Sequence, residues 1–135
     1  MKKWICIISI VLISIILVSC GGSVSKVKIV PVSSDIYSSE EIDKAIEAVL
    51  ADFKQNFDNC TLKEICYAGD ELMEEEYRIT PSTENPGVIV LSTIHFHNTY
   101  DRISGFGPED ELPWSWILYC SSKDNEWKIQ DFGVF

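Results

Sequence analysis

From Ile42 onward, apolar side chains recur at spacings of three and four: Ile42, Ala45, Ile46, Val49, Leu50, Phe53 and Phe57. That period draws a single stripe along an α-helix. Asp43, Lys44, Glu47, Lys54 and Gln55 fall on the opposite side. Ser38 with Glu41 three residues on fits a capping box, and Glu40, Glu41 and Asp43 complement the positive end of the helix dipole. Burying such a stripe gains roughly 1.5–3 kcal/mol per large side chain, while ordering the chain costs about 1–2 kcal/mol per residue. The helix therefore cannot stand alone, and the rest of the chain must supply a surface for it.

Beyond this helix the chain reads mainly as strands. Thr61 to Tyr67 is a candidate strand, and Asp70 to Arg78 a candidate short second helix with repelling carboxylates at i,i+4. Pro81 to Gly87 is loop, Val88 to His97 is a β-branched strand, and Asn98 to Pro113 is a long Gly-, Pro- and acid-rich connection. Trp114 to Ser121 and Glu126 to Phe132 form a hairpin around Lys123, Asp124 and Asn125. The expected fold is α+β in residues 37–135: one long N-terminal amphipathic helix packed on an antiparallel sheet of about four strands.

The first residues are an address. Lys2 and Lys3 precede an uncharged apolar run, Trp4 to Val18, of about 22 Å as a helix, against the ~30 Å hydrocarbon core of a bilayer. That is the length of a signal-peptide core. Leu17-Val18-Ser19-Cys20 resembles the bacterial lipobox. The resemblance implies that residues 1–19 are a signal peptide, that Cys20 receives a diacylglyceryl group and becomes the mature N-terminus, and that the protein lies on the extracytoplasmic face of the cell membrane. An uncleaved signal anchor, with the charge-free stretch reaching Ser25, would also put the domain outside the cytoplasm. Residues 20–36, rich in Ser, Gly and Val, read as a tether, in which Val27 to Val32 has the composition to join a sheet edge.

Charge then limits the partners. Losing the two leader lysines takes the 11 basic residues to nine against 21 acidic ones, a formal −12 for the mature chain. Nucleic acid and anionic head groups repel such a surface, so attachment rests on the acyl chains and a basic protein or peptide is the complementary partner. A hydrophobic fraction of 46% excludes intrinsic disorder.

No catalytic set and no cofactor motif emerges. There is no phosphate-binding lysine in the Ser104-Gly105-Phe106-Gly107-Pro108 loop, no Gly-x-Ser-x-Gly elbow, no Cys-x-x-Cys and no zinc helix. The acids of Asp70–Glu76 and Glu109-Asp110-Glu111 lack the spacing of a calcium loop. His95 and His97 share a strand face with Ile89, Leu91 and Thr93; the core face is expected to be Val88, Val90, Ile94 and Phe96. The pair would supply two metal ligands, with Asp101 or another carboxylate as a third, but two histidines on a half-exposed strand face are commonly solvated or hydrogen-bonded, and no metal is assigned. Trp114, Trp116 and Trp127 suit a core or an aromatic platform, with Trp114, Trp116, Leu118 and Cys120 on one side of their strand. Cys60 and Cys66 are too far apart along a strand for a disulfide, and Cys66 meets Cys120 only if their strands are neighbours. A nucleophilic thiol would need Cys66 or Cys120 beside a histidine.

The stretches Trp116-Ile117-Leu118 and Trp127-Lys128-Ile129-Gln130-Asp131-Phe132-Gly133, after a helix and a meander, resemble small lipoproteins of Gram-positive, Firmicutes-type gut bacteria. The resemblance implies a fold related to the cystatin-like or NTF2-like group, whose enzymes place acid–base pairs inside a cone-shaped pocket. The resemblance carries no function of its own; with the lipobox, the single acidic domain and the missing catalytic set, two functional expectations stand. One is a lipid-anchored, non-catalytic binding module for a protein or peptide. The other is an NTF2-like small-molecule pocket protein or enzyme, in which His95, His97, Tyr119 and Trp114 face the ligand.

Overall fold

The computed structural model describes residues 21–76, 87–120 and 125–134. Residues 1–20, which include the expected signal peptide and Cys20, most of the Pro81–Gly87 loop and the centre of the last hairpin turn lie outside them. β1 (Lys28–Val30), α1 (Ser39–Asn56), β2 (Cys60–Tyr67), α2 (Asp70–Glu76), β3 (Val88–His97), β4 (Leu112–Cys120) and β5 (Trp127–Gly133) succeed one another along the chain. The strands form one sheet, β1-β2-β3-β4-β5.

This corrects the expected architecture. The sheet has five strands and is mixed: β1 runs parallel to β2, with Lys28 opposite Glu64 and Val30 opposite Cys66, and the remaining pairs are antiparallel. A parallel pair requires a long crossover, and α1 supplies it. The helix is thus the connection inside a β1-α1-β2 unit, 18 residues long, rather than a long N-terminal element, and the short α2 joins it.

Residues 21–30 lie against the domain instead of hanging from it. The Ser23 amide donates to the Cys60 carbonyl at 2.9 Å, and the Ser23 carbonyl accepts from the Leu62 amide at 2.9 Å. Val24 and Val27 pack on the core. Gly22 allows this approach, because a Cβ there would collide with the Phe53 carbonyl oxygen and ring.

α1 forms as its sequence dictates. Ser38 accepts a hydrogen bond from the Glu41 amide and the Glu41 carboxylate accepts from the Ser38 amide, completing the capping box. Ile42, Ala45, Ile46, Val49 and Phe53 are buried against the sheet. Replacing Ser38 by Ala should cost about 1 kcal/mol, read from urea unfolding, because an orphan amide of the first turn loses its acceptor. An unchanged midpoint would show that the cap is not holding α1.

The helix-covered face carries Leu62, Ile65 and Tyr67 from β2, Ile89, Leu91, Thr93 and His95 from β3, and Trp116, Leu118 and Cys120 from β4, all buried. For β3 this reverses the expected faces: the histidine side is the core side. Bulges between Leu62 and Glu64 and opposite Ile117–Leu118 let residues three apart, such as Leu62 and Ile65, share that face. At the end of the sheet where β3 begins, the Tyr37 hydroxyl donates to the Val88 carbonyl at 2.6 Å and accepts from its amide at 3.1 Å. Gly87 there has φ of 122°, and a Cβ would meet that hydroxyl at 2.5 Å. Cys66 and Cys120 stand on β2 and β4 with β3 between them, and Cys66 is level with Ser115, five residues before Cys120, so the two lie about 20 Å apart at ~3.3 Å per residue and ~4.8 Å per strand, beyond disulfide reach.

Candidate functional site

At the opposite end of the sheet α1 stops and a cavity begins. The helix ends at Phe57, whose amide still donates to the Phe53 carbonyl at 3.1 Å. Asn59, in the left-handed region at φ 59°, then turns the chain into β2. This termination leaves the Phe57 ring over the sheet, stacked on Phe53 with centroids 4.6 Å apart. Its edge or face meets His95 at 5.9 Å, Trp114 at 5.4 Å, Trp116 at 5.3 Å and Phe132 at 5.7 Å.

Beside that ring is a cavity of about 310 Å³, walled by Phe57, Cys60, His95, His97, Leu112 and Trp114 and closed by Asp101, Ser104 and Phe106 of the connection between β3 and β4. The volume is at the lower end of the range for small-molecule sites, and the wall is largely apolar, as such sites are. β3 contributes both histidines from one face, and β4 opens with Leu112 opposite His95.

The electrostatics derive from burial. His95 is 2% exposed, and burial, helped by the charge His97 would carry, pushes its pKa down to about 4. It is a neutral ring at physiological pH, edge-on to Phe53, Phe57 and Trp114. Its Nδ1 is buried without a hydrogen-bond partner among the described residues. The Cys60 Sγ lies 3.6 Å from the His97 Nδ1, a pair set by the direct register of the two residues across β2 and β3. Burial, with the nearby carboxylates of Asp101 and Asp58, pushes the Cys60 thiol pKa up. A raised thiol pKa gives a protonated, poorly nucleophilic sulfur, the reverse of the depressed value that an activated cysteine needs. The Asp101 carboxylate is held low by hydrogen bonds from the Ser104 hydroxyl and the Ile103 amide.

Of the four residues expected to face a ligand, His95, His97 and Trp114 are brought together here. Tyr119 is not. It sits on the uncovered face of β4, opposite Val88 and Lys128, because it is odd-numbered on a strand whose even positions face the helix. Trp116 and Trp127 are buried in the core. The thiol beside a histidine is that of Cys60, not of Cys66 or Cys120, and only the strand register reveals it.

Among the described residues no group of three His, Cys, Asp or Glu side chains is placed to hold a metal, and no helix is long and apolar enough to cross a membrane. A second depression, about 350 Å³, lies on the uncovered face along Glu64, Cys66, Ser92 and Ser115, with a more polar wall. Comparison with protein-family models, with curated proteins and with solved structures finds no match for the chain.

Proposed function

We propose that this chain is a lipid-anchored, extracytoplasmic binding protein that carries out no chemistry and seats an uncharged apolar or aromatic group in the cavity beside His95. The observation that carries the reading is the cavity itself: the end of α1 and strands β3 and β4 hold Phe57, His95 and Trp114 in its wall, and the polar groups on that wall include a neutral imidazole and a protonated thiol. An anionic ligand would lose its hydration against the aromatic rings without a fixed countercharge on the strands. The lipobox at Leu17–Cys20 supports the anchor and the location. The acidic surface outside the cavity suits a basic protein or peptide that presents such an apolar side chain, and a salt-dependent affinity would be its signature.

The test uses N-phenyl-1-naphthylamine, an uncharged dye that brightens in apolar surroundings. At ~0.3 kcal/mol per non-hydrogen atom its dissociation constant should be on the order of 0.1 mM. Leu112→Trp, which fills the cavity, should weaken binding about tenfold or more while leaving the fold's circular dichroism unchanged. Equal binding by wild type and Leu112→Trp would exclude the cavity as the binding site.

A further inference from the structure

The first described residues and the longest connection meet at one end of the molecule. Gly21 and Gly22 lie against the last turn of α1: a Cβ on Gly21 would collide with the Lys54 carbonyl oxygen. Ser23 is hydrogen-bonded to both Cys60 and Leu62. On the other side of the start of β2, Asn59 donates to the Thr99 hydroxyl at 2.5 Å and Thr61 to the Asn98 side chain at 2.6 Å. Ser23 and Asn98 are thus about two strand spacings apart, near 10 Å. Cys20 directly precedes Gly21, one Cα step of about 3.8 Å away. An acyl group on Cys20 would therefore hold this end of the domain near the bilayer.

The connection at that end, residues 98–111, presents Ile103 at 98% exposure, Tyr100 at 64% and Phe106 at 42%. Arg102 stands between Asp101 and Ile103. Three of the four acids in the segment have partners, two of them within the loop itself and one on β2. Asp101 accepts from the Ile103 amide at 3.0 Å and the Ser104 hydroxyl at 2.5 Å, Asp110 accepts from the Gly107 amide at 2.7 Å, and Glu111 pairs with Lys63. Aliphatic, aromatic and Arg side chains on a projecting loop are the composition of a membrane–water interface.

We propose that residues 100–106 form a membrane-seating loop, with the Ile103, Tyr100 and Phe106 side chains entering the head-group region of the leaflet that holds the Cys20 acyl chains. The seating rests on the acylation of Cys20 that anchors the proposed binding protein. Because Phe106 and Ser104 also close the cavity, its mouth then lies at the lipid surface, and its ligands are those that reach it from the membrane phase.

The experiment takes the full chain purified from membranes and reconstituted in phosphatidylcholine vesicles. An environment-sensitive fluorophore is attached at Ile103→Cys or, about 20 Å along α1, at Asp43→Cys, each with the half-buried Cys66 changed to Ser. The expected result is blue-shifted emission at position 103, roughly halved by doxyl-labelled lipid, and water-like, unquenched emission at position 43. Vesicle-bound, acylated protein with both labels in water would overturn the seating while sparing the anchor. A Cys20 without diacylglyceryl mass, and protein that washes off, would overturn the anchor and the seating with it. A blue shift at 103 in the vesicle-free Cys20→Ala form, with dimer mass, would overturn the seating by assigning the loop to a second copy.

Discussion

Truncating Trp116 to Ala is expected to cost about 3–5 kcal/mol, a large share of the ~5–15 kcal/mol that holds a domain together. The indole is fully buried. It stacks on Phe132 with centroids 4.9 Å apart and meets Phe57 at 5.3 Å, so it joins the end of α1 to the β5 edge. Its Nε1 donates to the Thr93 hydroxyl at 2.9 Å, and that hydroxyl is directed at the Trp114 carbonyl at 3.4 Å. Trp116→Phe keeps most of the volume but leaves the Thr93 oxygen without its donor, and should cost about 1–3 kcal/mol. Urea unfolding should therefore order the proteins wild type, Trp116→Phe, Trp116→Ala. A loss of less than about 1 kcal/mol for Trp116→Ala would mean that the aromatic cluster repacks freely and does not shape the cavity.

The second large effect is acid lability from His95. In the unfolded chain this imidazole titrates near 6.5; in the folded protein burial lowers the value to about 4. Between these values the unfolded state binds the extra proton, so stability rises with pH across the window and is lost as pH falls through it. The slope should approach about 1.4 kcal/mol per pH unit, on the order of 3 kcal/mol in all. Above pH 6.5 the group is neutral in both states and contributes no slope. Urea midpoints measured from about pH 7 to pH 4 should fall steeply for wild type and much less for His95→Phe, which keeps an aromatic ring against Phe53, Phe57 and Trp114. A similar decline in both proteins would show that another group governs the acid limb.

The parts of the fold legible in the sequence are those with a strong period of their own. α1 comes from its 3.6-residue stripe and its cap, and β3 from a ten-residue run, seven of them β-branched or apolar, between a glycine and an Asn-Thr turn. β1 is harder to read: three residues carry almost no periodic signal, and parallel pairing depends on a partner more than thirty residues away. Gly21-Gly22 illustrates why the N-terminal segment reads as a tether. The same two glycines permit a flexible chain or a close backbone approach, and only the neighbouring helix decides between them.

The faces of β3 are ambiguous in sequence because both carry apolar residues. The set of rings arriving from α1 settles them, since His95 packs edge-on against those rings more readily than Ser92 would. Bulges in β2 and β5 add to this, since a two-residue period read along the chain changes face at each one. The candidate site is half visible for the same reason. His95, His97 and Trp114 belong to strands whose pairing the sequence suggests, whereas Cys60, Phe57 and Leu112 reach the cavity only through the turn at Asn59 and the pairing of β2, β3 and β4.

The cavity beside Phe57 and His95, rather than the depression on the uncovered face, is where this protein is proposed to bind. Aromatic and methyl 1H–13C NMR spectra recorded with and without N-phenyl-1-naphthylamine test this most directly. The largest shifts are expected on Phe57, His95 and His97, with the Ile94 methyl groups unmoved. Shifts centred on the Ile94 methyl groups, with Phe57 and His95 unchanged, would contradict it.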